Sequence, residues 1–201
     1  MSGTIADPND SGRNYYRDEY HFQQGIWPNN IFIYGYVSTF SPNTLFEFGC
    51  NVGRHLHQFS QQGIKVSGID VSKRAIDKGR ELYGLTDIWV GDDNALAKIT
   101  DVYDVVYVNS VLCHIENIDD IIHHLKRIGK TVIIFEAPGK MASGDAGMAA
   151  YWYPRSYEEY GFKKIWSHYA ASCDAQYCLY QYKKKSLIKR GIDKCVEFWR
   201  R

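Results

Sequence analysis

Cys50, Cys113, Cys173, Cys178 and Cys195 form an odd set with no CxxC pair. That spacing excludes a zinc ribbon and argues against a disulfide framework, so reduced structural thiols are expected. No basic run precedes Lys183-Lys184-Lys185, and no acidic tail exists. With 24 basic and 23 acidic residues the formal net charge is +1. Charge therefore points neither to nucleic acid nor to an anionic membrane as the main partner, although a local patch can hide in a neutral total. No apolar run reaches the roughly 18 residues of a membrane span. The opening "MSGTIADPNDSGRNYYRDEY" has no apolar signal-peptide core. A cytoplasmic protein is expected. GxGxxG, a P-loop and HExxH are also missing, so a phosphate-cradling loop and a zinc-protease helix are not indicated. The pairs His55/His57 and His123/His124 look suggestive of metal. Residues one or two apart on a helix do not share a face, however, so solvated positions and no metal are expected.

Of the 201 residues, 45% are apolar, enough for one domain with one substantial core. No repeat or low-complexity tract interrupts it. Residues 1–43 read as an N-terminal cap: a polar start, a helix-like stretch over 14–24, the turn signal "GIWPNN", then "IFIYGYVSTF", which fits helix or strand. From Thr44 strand-like and helix-like segments alternate: "TLFEFG", "GRHLHQFSQQG", "KVSGID", "SKRAIDKGRELYG", "DIWVGD", the short polar "DNALAKIT", "YDVVYVNS", "IDDIIHHLKRIG" and "KTVIIFEAPG". Near-continuous apolar strand cores in this rhythm predict a parallel sheet covered by helices on both faces. After Gly139 comes "KMASGDAGMAAYWYPRS", a candidate lid or pocket wall. "FKKIWSHYAA" and "QYCLYQYKK" follow, joined by "SCDA" as a hairpin. The core is thus 44–183, and 184–201 reads as a terminal amphipathic helix.

In open parallel sheets, ligands bind outside the carboxyl ends of the strands, near the point where strand order reverses. The strand ends here carry Glu47, Gly49, Asn51 and Gly53, then Asp70, Val71 and Ser72, then Asp92, Asp93 and Asn94, then Asn109 and Ser110, then Glu136 and Pro138. Gly49 and Gly53 permit close backbone approach. N–H groups at the helix start around Gly53 favour a carboxylate or phosphate. Asp70 follows Glu47 by 23 positions, about the spacing at which an acid meets ribose hydroxyls in a nucleotide-binding βαβ unit. Asp92 is placed to accept from an exocyclic amine. Each signal is weak alone. Three strand ends in one frame, each with a group that an adenosine ligand needs, are stronger.

These segments, "LFEFGCNVGRHL", "VSGIDVS", "WVGDDNAL", "YDVVYVNSVLCHI" and "VIIFEAPG", resemble the successive motifs of class I S-adenosylmethionine-dependent methyltransferases over roughly 44–139. "EFGCNVG" is similar to the first motif, with Asn51 at its middle glycine; Asn is the side chain best able to share glycine's conformations. The resemblance implies an α/β Rossmann-like sheet of seven strands, mostly parallel with an antiparallel last strand, and agrees with the closing hairpin. It implies S-adenosylmethionine as cofactor and S-adenosylhomocysteine as product. It places Glu47, Gly49, Cys50, Asn51 and Gly53 under the methionine end, with Asp70 on the ribose and Val71 on the adenine. Asp92 and the backbone of Asp93 take the adenine edge, and Asn109 and Ser110 line the methionine side. Arg54 is either a carboxylate contact or a helix-surface arginine.

Methyl transfer needs an oriented acceptor and, for a hydroxyl, a base. His114, just past the fourth strand, is the first candidate, and Glu136 the second. Tyr15, Tyr16, Tyr20, His21, Trp152, Tyr153 and His168 are candidate acceptor contacts; for most of them packing is the competing explanation. The expected activity is transfer to oxygen or nitrogen of a small polar metabolite, such as a sugar or a natural-product or surface-glycan precursor. The alternatives are a methyltransferase acting on protein or nucleic acid, or a non-catalytic domain of this fold. Monomer and homodimer both stay open.

Overall fold

The computed structural model describes residues 28–138, 153–170 and 175–184. Strands β1 (Thr44–Phe48), β2 (Lys65–Asp70), β3 (Ile88–Val90), β4 (Tyr103–Asn109) and β5 (Gly129–Glu136) are joined by β6 (Lys163–Ala170) and β7 (Ala175–Lys183). They form one seven-stranded sheet in the order β3-β2-β1-β4-β5-β7-β6. Neighbours from β3 to β5 pair in parallel. β7 runs antiparallel to both β5 and β6, inserted between them. The expected sheet and its closing hairpin are both present.

Helices α1 (Pro28–Ser38), α2 (Arg54–Ser60), α3 (Lys73–Tyr83), α4 (Asp93–Lys98) and α5 (Asp119–Ile128) cover the two faces. Alternation along the strands divides the core. Leu45, Val105, Tyr107, Ile133 and Phe135 pack under Ile33, Tyr34 and Val37 of α1, Leu56 and Phe59 of α2, and Ile76 of α3. Phe46, Phe48, Val106, Val108, Val132 and Ile134 pack against Leu96 of α4 and Ile121, Ile122, Leu125 and Ile128 of α5. β4 and β5 are buried on both sides, which is why their sequences read as continuous apolar runs.

Two expectations need correction. "IFIYGYVSTF", compatible with helix or strand, lies mostly in α1, and the helix begins at Pro28, inside the supposed turn. Proline is tolerated in a first turn because its missing N–H has no intrahelical partner there. "DNALAKIT", taken as a polar stretch, is helical over Asp93–Lys98. Asp92 accepts the Ala95 N–H at 3.0 Å as its N-cap, and Leu96 anchors it in the core. The stretch over 14–24, residues 140–152 of the candidate lid, and residues 185–201 of the terminal helix expected over 184–201 lie outside the described residues.

At the amino end of the sheet one carboxylate joins three strands. Asp104 Oδ2 accepts N–H groups from Asn43 and Thr44 at 2.9 and 3.1 Å, and its Oδ1 accepts from Lys130 at 2.7 Å. The Lys130 hydrogen bond holds the Asp104 pKa below its usual value. Because that pKa is depressed, the stabilisation is present above the unfolded value and lost as pH falls through the folded one. Asp104→Asn is expected to lower the unfolding free energy at pH 7 by about 1–2 kcal/mol in urea titrations. The deficit should shrink below about pH 4, the unfolded aspartate pKa. A deficit that grows on acidification would contradict this.

Candidate active site

Strand order reverses at β1, which has β2 on one side and β4 on the other. The crevice therefore opens over the carboxyl ends of β1 and β4. Gly49, Asn51 and Gly53 in the turn after β1 all adopt left-handed backbone, with φ of 74°, 50° and 73°. Asn51 thus takes the glycine-like conformation its type allows. A Cβ on Gly49 would lie 2.3 Å from Val111 Cγ2, so that position accepts no side chain without rearrangement.

The turn's own donors are engaged inside the protein. The N–H groups of Gly49 and Cys50 donate to the Ile69 carbonyl at 2.8 and 2.9 Å, and that of Gly53 to the Cys50 carbonyl at 2.8 Å. Asn51 N–H donates to Asp70 Oδ2 at 2.8 Å, and Val52 N–H to Asn51 Oδ1 at 2.7 Å. A phosphate cradle needs such donors free. Donors for an anion begin only in the first turn of α2, which no side chain caps.

Two acids stand beside this turn, Glu47 buried and Asp70 half-buried. Asp70 Oδ1 also accepts the Ser72 N–H at 2.8 Å. Burial raises the Asp70 pKa, opposed by the N–H groups of Ser72 and Asn51. Glu47 is 1% exposed, and its Oε2 has no hydrogen-bond partner. Burial, then the nearby Asp70 charge, push the Glu47 pKa well up, with Arg54 opposing. Such a pair favours a ligand that brings positive charge. At the next strand end, Asp92 Oδ2 accepts from Asn94 Nδ2 at 3.1 Å. Burial raises the Asp92 pKa, but its hydrogen bonds from Asn94 and Ala95 outweigh this and hold it below the usual range. Val71 and Asp93 are half-buried alongside.

The β4 end holds a network that sequence did not reveal. Tyr34 Oη lies 2.8 Å from His55 Nδ1, and Asn109 Nδ2 lies 2.8 Å from His55 Nε2. Ser110, at φ 54°, donates its hydroxyl to Asn109 Oδ1 at 3.0 Å. His55 is therefore not the solvated helix residue expected: both ring nitrogens are engaged. Burial, reinforced by Arg54, holds its pKa down to about 3. His57 is half-buried too, stacked on Tyr83 at 4.7 Å. Among the described residues, no three His, Cys, Asp or Glu side chains gather into a metal site.

His114 is half-buried in a short 3₁₀ turn, Leu112–His114. Glu136 closes that turn from beneath, its Oε1 accepting the N–H groups of Val111 and Leu112 at 2.7 and 2.9 Å. With no exposed surface, Glu136 acts on the backbone that carries His114 and is not placed to touch a ligand. Tyr153 N–H donates to the Cys113 carbonyl at 2.8 Å, bringing Tyr153 to the same turn. His168 is exposed on the edge strand β6, stacked on Trp166 at 5.7 Å and separated from β4 by β5 and β7. Tyr15, Tyr16, Tyr20, His21 and Trp152 lie outside the described residues.

A family model described as a methyltransferase domain matches residues 31–171. Among solved structures, the N-methyltransferase NodS from Bradyrhizobium japonicum, in complex with S-adenosylhomocysteine, superposes with a TM-score of 0.66 at 12% identity. That match covers 90% of this chain and 100% of that one. The plantazolicin methyltransferase BamL, in complex with a triazolic desmethylPZN analogue and S-adenosylhomocysteine, gives 0.64 at 13% identity, over 89% of this chain and 93% of that one. Magnesium protoporphyrin IX methyltransferase from Synechocystis, with bound S-adenosylhomocysteine, gives 0.61 at 16%, over 87% and 94%. At such identities these likenesses concern the fold. No curated protein matches the chain.

The turn geometry is directly testable. Gly49→Ala must hold a left-handed alanine against Val111, so denaturant titration should show a loss of at least about 2 kcal/mol. Adding Val111→Ala should recover part of it. Unchanged stability in the single variant would contradict the close approach.

Proposed function

The chain belongs to the methyltransferase-domain family, and from that premise we propose that it methylates an oxygen or nitrogen on a small polar metabolite, of the sugar, natural-product or surface-glycan precursor type. Its cofactor is S-adenosylmethionine, which leaves as S-adenosylhomocysteine. One observation carries the site assignment: two acids, the buried Glu47 and the half-buried Asp70, flank a turn whose own N–H groups are already engaged. Such a site suits the ammonium and sulfonium of this cofactor better than a phosphate.

In this assignment Glu47, Gly49, Cys50, Asn51 and Gly53 form the floor under the methionine end. The carboxylate of Asp70 has lone pairs left for ribose hydroxyls after taking two backbone N–H groups. Val71 packs on the adenine, Asp92 accepts from its amine, and the Asp93 backbone meets its ring edge. Asn109 and Ser110 line the methionine side. When bound, the cofactor would supply a methyl carbon on a sulfonium: an acceptor lone pair would bond to that carbon as the in-line carbon–sulfur bond breaks, the sulfur leaving as the thioether of S-adenosylhomocysteine. The chain orients the two partners, which is the larger part of the catalysis such a displacement needs. For a hydroxyl acceptor His114 takes the proton, and Glu136 positions the turn that carries it. A small polar acceptor is favoured by the half-buried, hydrogen-bonding wall of Tyr34, His55, Asn109 and Ser110, and by the near-neutral net charge of +1.

Asp70→Ala should weaken S-adenosylmethionine binding by at least about tenfold in calorimetry; parental affinity would remove the ribose assignment. His114→Ala should cut turnover on the true acceptor while sparing cofactor affinity, and unchanged turnover would take His114 off the list. The raised Glu47 and Asp70 pKa values set a sign for the pH dependence. A cationic ligand favours their ionised forms, so binding releases protons and weakens as pH falls through their raised pKa values. Affinity that rises on acidification would contradict the cation assignment. A parent chain that binds no S-adenosylmethionine at all would leave only a non-catalytic role.

A further inference from the structure

His55 stands where three parts of the site meet. It follows the glycine turn on α2, faces Tyr34 of α1 through Nδ1, and faces Asn109 at the end of β4 through Nε2, each at 2.8 Å. With Asn109 Oδ1 accepting the Ser110 hydroxyl, the NH₂ end of that amide points at the imidazole. An amide nitrogen only donates, so Nε2 carries the lone pair, and Nδ1 carries the proton and donates to the Tyr34 oxygen. The surroundings keep the ring in this neutral form. Tyr107 meets it edge-on at 5.5 Å between centroids and Tyr34 lies at 5.8 Å. The charge beside it is Arg54 of the same helix, and Glu47 of β1 acts on the adjoining Tyr34 and Tyr107. A ring held neutral with both nitrogens engaged is a poor proton acceptor. It is well suited to hold two partners of opposite hydrogen-bonding sense at a fixed separation.

The two partners belong to different halves of the site. Tyr34 is on the cap helix, which leaves Ile31 and Phe32 exposed at 67% and 42%. Other polar ties of α1 run elsewhere: Tyr36 donates to Gln181 at 3.1 Å and Ser38 to Gln62 at 2.5 Å. Asn109 and Ser110 sit at the strand end that faces the cofactor. We propose that His55 is a positioning residue that couples the cap to the cofactor: its Nδ1 contact to Tyr34 and its Nε2 contact to Asn109 form together, so cofactor seated beside Asn109 tightens α1 over the acceptor side. The proposal rests on the methyl-transfer reading of the crevice.

Hydrogen exchange at the α1 amides of the full chain, with and without S-adenosylhomocysteine, tests it. In the parent, ligand should slow α1 exchange about five- to tenfold, a coupling in the ordinary range. Tyr34→Phe keeps the ring and loses the hydroxyl. It should bind S-adenosylhomocysteine within about threefold of the parent yet lose most of the added protection, since only the Tyr34 contact is cut and the Asn109 contact stays. His55→Leu should lose both affinity and protection. In His55→Gln, whose side-chain oxygen reaches toward the Nε2 position, affinity should return while protection stays absent. Parental protection in Tyr34→Phe would overturn the coupling, as would a parent that binds ligand with no change at α1. A parent that binds no S-adenosylhomocysteine overturns the functional reading itself, so the two failures are distinguishable. Should His55→Leu not fold, the other two variants still decide.

Discussion

A single carboxylate fixes the crevice. Asp70 accepts the N–H of Asn51 on one oxygen and that of Ser72 on the other, both at 2.8 Å. The first bond secures a donor that the left-handed backbone of Asn51 would otherwise leave unpaired, a cost of about 1–3 kcal/mol. The second secures the entry to α3, where Ser72 caps the helix by accepting from Ala75 N–H at 3.2 Å. With both turns pinned, α2 begins at a defined point, and the places of Arg54 and His55 follow from it. The arrangement also leaves the turn itself without spare donors, so those open to an anion begin only in the first turn of α2.

The β2 side and the β4 side of this crevice have different physical characters. The first is electrostatic: Glu47 is buried with one oxygen unpartnered and Asp70 is half-buried on two N–H groups, and desolvation is the chief cause raising both pKa values. Groups in that condition favour a ligand that supplies the missing charge. The second is a neutral hydrogen-bonded wall, in which Tyr34, His55, Asn109 and Ser110 satisfy one another. Structures with the same overall fold include an N-methyltransferase, a porphyrin methyltransferase and a plantazolicin methyltransferase. One fold thus carries methyltransferases of different acceptors.

Much of this was legible in the sequence because it depends on local pattern. The buried strands β4 and β5 appear as apolar runs, and the hairpin of β6 and β7 as two strand-like segments around a turn. Asn51 could be read as a glycine substitute because its conformational preference is intrinsic. The short α4 was missed because one buried residue, Leu96, and one cap, Asp92, secure it, too little for a periodic signal. His55 was missed for the opposite reason. Its partners Tyr34 and Asn109 lie 21 and 54 positions away, and nothing in "GRHLHQF" announces them. Glu136 looked like a pocket carboxylate by strand position, but the turn over Leu112–His114 needs its N–H groups closed from below, and that need buries it.

The central claim is that the turn over 49–53, with Glu47 and Asp70, receives the aminoacyl and ribose parts of the cofactor. A crystal structure of the chain with S-adenosylhomocysteine tests it most directly. The expected result is the amino acid end over the glycine turn, ribose hydroxyls on Asp70, adenine beside Val71 and Asp92, and sulfur facing the wall that contains Asn109. Ligand bound elsewhere, or in the crevice with the ribose away from Asp70, would contradict the account.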